Sequence, residues 1–318
     1  MDSSGIGNEE STGRIALSII VVGWNSLEYI QRCFDSVYKY PPSRPFELIY
    51  VDNASEDGSV ECINKRHPRV MVIRNNKNLG FQKANNQALL CAKGEFILLL
   101  NADTEVLKGT FDTMMNFLSK NPKAGAANPR CIYPDGRLQW TVAGFPTLEV
   151  LWRWLCDEHE SLKWFRSRSI RRGSSEVITT REQDYTYGAF FMVKSVVVKA
   201  IGLMDECFFM VGGDVAWSCE IQKKGWKNFY VAEAEVIHNE GGSRRKDPQA
   251  SQIDWIKGHR RLLYKYRGVL HGLMGELIFV SHISMNLFRS LWHRNSRTSL
   301  YYWIRVLKSV YLEHGDSS

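Results

Sequence analysis

Apolar and polar positions alternate along the first 130 residues in blocks of regular length. Residues 17–22, Leu-Ser-Ile-Ile-Val-Val, form a nearly unbroken β-branched run, as expected of a parallel strand covered on both faces. Residues 27–38 place apolar side chains at helical spacing and stop before Pro41 and Pro42. Strands at 46–51, 70–73 and 95–100 follow, separated by helical patterns after the polar turn at 52–58 and over 81–92. This βαβαβαβ order predicts an α/β, doubly wound, mostly parallel sheet that binds ligands outside the carboxyl ends of its strands. Residues 135–185 break the pattern with Pro146, a Trp-rich patch (Trp152, Trp154, Trp164) and a basic run at 166–172, and read as a mobile or acceptor-facing segment. Order returns in an apolar run over 187–193, a helix through 201 and a strand at 228–232.

The character changes again near the end of the chain. Residues 257–308 carry ten Lys or Arg against one acid, Glu276, interleaved with Leu, Ile, Phe, Trp and Tyr. This predicts a basic amphipathic helical tail over 256–318, suited to an anionic membrane surface. The chain then divides into a polar extension at 1–14, a catalytic domain at 15–255 and the tail. The apolar stretch at 268–292 holds His271, Glu276, His282 and Arg289, which argues against a membrane span. A helical bundle packed on the preceding domain is the alternative.

Of 318 residues, 44% are hydrophobic and 24% charged, which excludes a disordered chain. The net charge of +7 favours anionic partners, with nucleic acid, anionic lipid and phosphorylated substrates all eligible. No nucleic-acid-binding motif is present, so no nucleic acid is expected. Seven cysteines form no C-x-x-C pair, which fits a reduced, cytoplasmic compartment better than a disulfide framework. The N-terminus is acidic, unlike a signal peptide.

Polar residues gather at the predicted strand ends: Gly23-Trp-Asn25, Asp52-Asn53, Asn78-Leu-Gly80 and Asn101-Ala-Asp103. Each alone is ordinary turn chemistry. Their succession along one rim points to a nucleotide site, although neither a G-x-G-x-x-G turn nor a P-loop is present.

These residues carry a resemblance. The segments around Ile19–Ser26 and Val51–Ser59, then Asn78-Leu-Gly-Phe81 with Ala84-Asn-Asn86, then Leu98–Asp103, resemble family 2 of the inverting glycosyltransferases. Asp205-Glu-Cys-Phe-Phe-Met210, Gly213-Asp-Val215, Gly225-Trp226 and Ala234-Glu-Val-Ile-His238 extend the likeness, which is nearest to the rhamnosyltransferase-like branch. The resemblance implies a GT-A fold that binds a nucleotide-diphosphate sugar donor. It implies that Asp52 bonds the base or ribose, that Asn25, Asn78 and Gly80 lie beside the nucleotide, and that Asn85 shapes that pocket. Asp103 matches the last acid of the D-x-D motif and, with His238, faces a divalent cation, Mg²⁺ or Mn²⁺, on the diphosphate. Asp214 matches the catalytic base. Gly213 stands where the family usually has Glu, and Ala216 where a second Asp is common; a glutamate restored at 213 is expected to be tolerated.

Read alone, His238 is an ordinary strand-end histidine, Asp214 a helix N-cap, and Phe190, Phe191 and Met192 plain core strand. The resemblance implies dTDP-L-rhamnose as donor and a saccharide or polyprenyl-diphosphate-linked saccharide as acceptor; the basic tail and the unpaired cysteines lead to the expectation of an enzyme peripheral on the cytoplasmic face of the membrane. A UDP-hexose donor, and a catalytically idle nucleotide-sugar-binding protein, stay open at this point.

Overall fold

The structure is a computed structural model that describes residues 14–139, 141, 144–159, 179–239, 247–292 and 297–312. The basic run at 166–172, Trp164 and nearly all of the N-terminal extension lie outside the described residues. Strand β1 (Leu17–Gly23) pairs in parallel with β2 (Phe46–Asp52) on one side and β4 (Phe96–Asn101) on the other. Beyond β2 lies β3 (Met71–Arg74), so the chain winds outward, then returns past β1 to begin β4. That reversal leaves a crevice between the carboxyl ends of β1 and β4. The sheet continues through β8 (Phe190–Lys194, antiparallel), β6 (Ala124–Ile132), β9 (Lys227–His238) and β5 (Thr104–Val106), with β7 (Arg181–Gln183) also on β9.

The continuous apolar runs follow from burial on both faces. Leu17, Ile19, Val21, Leu98 and Leu100 point to one side, against α1 (Leu27–Lys39), α2 (Ser59–Arg66) and α4 (Thr110–Lys120). Ile20, Ile49, Val51, Ile97 and Leu99 point to the other, against α3 (Phe81–Leu89), α6 (Ser195–Ile201) and α7 (Gly213–Lys223). The two-residue period therefore sorts one strand into two cores. Phe190, Phe191 and Met192 are buried in β8.

Two elements depart from the sequence reading. Strand β9 runs on to His238, well past the expected stop at 232, because Glu235 is paired with Arg130 at 2.7 Å and so costs the strand little. Helix α5 (Leu148–Glu158) occupies part of the irregular stretch: Thr147 accepts the Val150 N–H at 3.3 Å, and Leu151, Leu155 and Cys156 are buried.

Helices α8 (Pro248–Arg267), α9 (Val269–Trp292) and α10 (Arg297–Tyr311) pack with α5 around Leu151, Ile256, Leu263, Phe279, Ile283, Val306 and Val310. The expected boundary at 255/256 falls inside α8. Close approach of α8 and α9 needs two glycines: a Cβ on Gly272 would lie 2.3 Å from the Tyr264 ring, and one on Gly275 2.3 Å from Leu263. No helix among the described residues is long and apolar enough to cross a membrane.

Candidate active site

A cavity of about 330 Å³ fills the crevice beyond the ends of β1 and β4. One wall comes from the first half of the chain: Gly23, Trp24, Asn53, Asn78 and Gly80, with Asn101 and Asp103 at its base. The facing wall comes from the second half: Tyr187, Gly188, Asp214, His238, His259 and Leu262. Of the residues expected at the site, Asn78, Gly80, Asp103, Asp214 and His238 are brought together here. Asn25, Asp52 and Asn85 lie outside the lining.

The first wall is made rigid by local bonds. Asn78 Oδ1 accepts the Gly80 N–H at 3.0 Å, and Asn53 Nδ2 donates to the Gly80 carbonyl at 3.1 Å. Gly80 adopts φ +82°, and a Cβ there would sit 2.6 Å from the Phe209 carbonyl oxygen, so this turn admits only glycine. Behind it, Asp52 is fully buried; its oxygens accept from the Tyr50 hydroxyl at 3.2 Å and the Ser55 N–H at 3.1 Å. Burial, then the Asp52 carboxylate, push the Tyr50 hydroxyl well above its ordinary pKa, which keeps it a donor. Asn25, in the left-handed region at φ 47°, accepts the Glu56 N–H at 2.8 Å. Asn85 donates to its own helix at Phe81 O, 2.8 Å away.

Asp103 and His238 are 135 positions apart in the chain, yet β5 pairs with the end of β9 and sets them face to face, His238 Nε2 being 3.4 Å from Asp103 Oδ1. Gln139 decides the tautomer. Its Nε2 donates to the His238 carbonyl at 2.5 Å, which turns its Oε1 to His238 Nδ1 at 2.9 Å. Nδ1 therefore carries the proton in the neutral ring, and Nε2 presents a lone pair to a carboxylate oxygen. Two acceptors facing each other at this distance call for a proton or a cation between them. The donor set thus fits a divalent metal held by one carboxylate and one imidazole, with the substrate's oxygens completing it. Among the described residues no third His, Cys, Asp or Glu joins the pair.

Asp214 lies in the first turn of α7, where free backbone N–H groups favour an anion; its Oδ1 accepts from Val215 N at 2.9 Å. Its other oxygen packs against Gly188, where a Cβ would come within 3.1 Å. The segment ahead of it is clamped from two sides. Phe81 N–H donates to Phe209 O at 2.6 Å and Asn86 holds Met204 through two bonds of 2.9 Å, all from α3. From α8, Lys265 pairs with Asp205 at 2.6 Å and Asp254 accepts the Val211 N–H at 2.8 Å. The Asp205–Met210 motif is therefore held in place, with Asp205 turned to Lys265 and Glu206 and the backbone bonded to α3.

A glutamate at 213 meets an obstacle that the sequence did not reveal: a Cβ there would lie 1.9 Å from Nε2 of Gln82. Gln82, Gln139, Trp255 and His259 were also absent from the sequence reading. For Trp255, His259 and Leu262 the signal existed as an i, i+4, i+7 stripe on one face of α8. For the two glutamines there was none, because their partners lie 99 and 128 positions away.

Residues 18–194 match Glycosyl transferase family 2. An N-acetylglucosaminyl-diphospho-decaprenol L-rhamnosyltransferase of Mycobacterium tuberculosis is 24% identical over 310 residues, covering 89% of this chain and 96% of its own. Among solved structures, the mannosyltransferase PcManGT from Pyrobaculum calidifontis, in complex with GDP-Man and Mn²⁺, superposes with a TM-score of 0.56 at 17% identity, over 94% of this chain and 88% of that one. TarS 1-349 from S. aureus in complex with UDP-GlcNAc gives 0.52 at 17% identity, over 93% and 82%. The fold is GT-A. A crevice at the switch point of the sheet agrees with these likenesses: the chain belongs to glycosyl transferase family 2, as a rhamnosyltransferase-like enzyme.

Proposed function

We propose that this enzyme transfers L-rhamnose from dTDP-L-rhamnose, with inversion, to a polyprenyl-diphosphate-linked saccharide in cell-surface polysaccharide synthesis. The observation that carries the reading is that Asp214 faces the same cavity as the Asp103–His238 pair. The likeness to the mycobacterial rhamnosyltransferase along most of both chains supports the choice of donor and acceptor.

Asp214 takes the proton of the acceptor hydroxyl as that oxygen bonds to the anomeric carbon. The bond from that carbon to the diphosphate oxygen breaks on the opposite face, and the nucleotide diphosphate leaves with its electron pair. Asp103 and His238 would hold Mg²⁺ or Mn²⁺, which supplies positive charge against the departing diphosphate. Asn78 and Gly80 border the nucleotide. A contact from Asp52 to the base or ribose needs one of its bonds to Tyr50 or Ser55 exchanged, and Asn25 and Asn85 act by fixing the turns around it.

The test is a panel of nucleotide sugars with Mg²⁺ or Mn²⁺ and a polyprenyl-diphosphate saccharide, recording which nucleotide is released and the anomeric configuration of the product. Release of dTDP with an inverted linkage is expected. UDP release from a UDP-hexose reassigns the donor, and no release from any donor leaves a nucleotide-sugar-binding protein.

A lipid-linked acceptor calls for an enzyme at the membrane. Helix α9 exposes Leu270, Leu273, Leu277, Phe288, Leu291 and Trp292, with Arg289, Arg305 and Lys308 exposed nearby. Each such cation contributes roughly 1 kcal/mol near anionic lipid. Other basic residues of the tail are engaged internally, Arg260 with Glu276 and Lys265 with Asp205. Truncation before α9 would strip Phe279, Ile283, Val306 and Val310 from the core, so the variant is Leu273→Glu with Leu277→Glu. Sedimentation with anionic vesicles should be salt-sensitive and lost in the variant; equal, negligible sedimentation of both proteins removes the membrane from the reading.

A further inference from the structure

Gln82 stands in the second position of α3, only 1% exposed, among the residues that border the cavity. Its Nε2 donates to the Met210 carbonyl at 3.1 Å, which fixes the orientation of the amide. Its Oε1 then has no donor among the described residues. A buried carbonyl oxygen is rarely left so, because the group gives up water without a replacement. As a neutral acceptor it repels phosphate oxygens and selects an O–H or N–H group.

The neighbourhood says what that group belongs to. A Cβ on Gly213 would lie 1.9 Å from Gln82 Nε2 and 2.4 Å from Cδ, so the amide fills the space that any side chain just ahead of Asp214 would need. Where the resembled family places an acid on α7, this chain brings a neutral amide from α3. Resting on the glycosyltransferase reading above, we propose that Gln82 is a sugar-positioning residue, its Oε1, closed off in the free protein, turning toward the cavity to accept a hydrogen bond from a hydroxyl of a sugar bound beside Asp214. The Phe209–Met210 backbone that holds the amide leads directly into α7, so one short segment sets both the amide and the carboxylate.

The experiment compares Gln82→Met, which keeps the volume and removes both the acceptor and the bond to Met210, with Gln82→Glu, which loses that bond and keeps an acceptor, with Gln82→Ala, and with the exchange Gln82→Ala/Gly213→Gln. With donor and acceptor varied separately, Gln82→Met is expected to lower kcat/KM about 5- to 10-fold, the scale of one neutral hydrogen bond. Inhibition by free nucleotide diphosphate should not change. A raised donor KM assigns the hydroxyl to the transferred sugar, and a raised acceptor KM assigns it to the acceptor. The exchange variant, which returns an amide to the same space from α7, should recover most of the loss seen in Gln82→Ala. Wild-type kcat/KM for both substrates in Gln82→Met, or an equal loss in Gln82→Met and Gln82→Glu, overturns the proposal and leaves Gln82 a packing residue. Should Gln82→Met not fold, Gln82→Ala and the exchange decide, and absence of recovery overturns it. Failure of the functional reading shows separately, as no turnover of any nucleotide sugar by the wild-type protein, and this inference falls with it.

Discussion

The sheet and the helical layer of α5 and α8–α10 solve the burial problem in opposite ways. In the central strands β1 and β4 the side chains are mostly aliphatic, and polar groups collect beyond their carboxyl ends, where the cavity lies. In the helical layer two polar groups are enclosed: His159 and His282 meet at 3.0 Å among Trp154, Trp255 and Trp303, while leucines of α9 face outward. Where polarity gathers at a rim it marks chemistry. Where it is enclosed by aromatics it adds a constraint on stability, and the outward leucines mark a surface of contact.

The largest expected effect tests the rim. Asp214→Asn keeps the side chain's shape and its bond to Val215 but cannot accept a proton, so transfer should fall about 10² to 10⁴-fold while donor binding persists. Single-turnover transfer and donor affinity, measured side by side, check this. Full transfer would move the base elsewhere and dissolve the assignment of chemistry to this rim.

The second prediction probes the enclosed histidines. Burial, then the neighbouring His159, lower the His282 pKa from 6.5 to about 4. Between those values the unfolded chain binds the proton and the folded chain does not. The stability is therefore complete above about pH 6.5, declines as the pH falls, and levels off below about pH 4, by about 3 kcal/mol in all. His282→Phe should flatten that part of the profile in denaturant titrations across the window. An unchanged slope would show that the helical layer does not carry the pH dependence.

These two regions were not equally legible in the sequence. Residues 17–22 and 96–100 announce their strands because both faces are covered, and Asp103, Asp214 and His238 sit in segments whose local order is distinctive. The tail is another matter. Periodicity records that Leu277 and Phe279 are apolar, and it is silent on whether lipid, water or another helix faces them. Phe279 went into the core and Leu277 stayed out. Gln139 escaped notice because its role exists only once a β-strand 99 residues away is in place.

A third prediction addresses that residue. Gln139→Met removes the acceptor that holds the proton on His238 Nδ1, so the metal concentration needed for half-maximal turnover should rise about 10- to 100-fold. No rise would mean that the strand pairing alone orients the ring. The smallest effect belongs to the contact between the two regions. Burial raises the Asp205 pKa, but the Lys265 ammonium and the Cys207 groups outweigh it, and the net shift is downward. Its contribution is present above the ordinary carboxyl range and lost as the pH falls through the lowered value. Asp205→Asn should cost less than about 1 kcal/mol at neutral pH, since the pair is partly exposed. Unfolding at about pH 2 should bring the two proteins together; a difference that persists there would mean packing rather than charge.

The clamp on residues 204–212 has a consequence for assembly. Gln82 reaches Met210 and Asn86 reaches Met204 across 128 and 118 positions, and Val211 is then secured by Asp254 a further 43 residues on. Contacts so distant in sequence form late, because each closes a long loop before it returns any stabilisation. Strands β1 to β4 pair across shorter separations, Leu17 with Phe46 and with Phe96, and are able to collapse before this. A chain emerging from the ribosome is therefore expected to assemble β1 to β4 first and to settle the turn ahead of Asp214 only after α8 has docked, so that on the proposed function catalytic competence is the last property of the fold to mature.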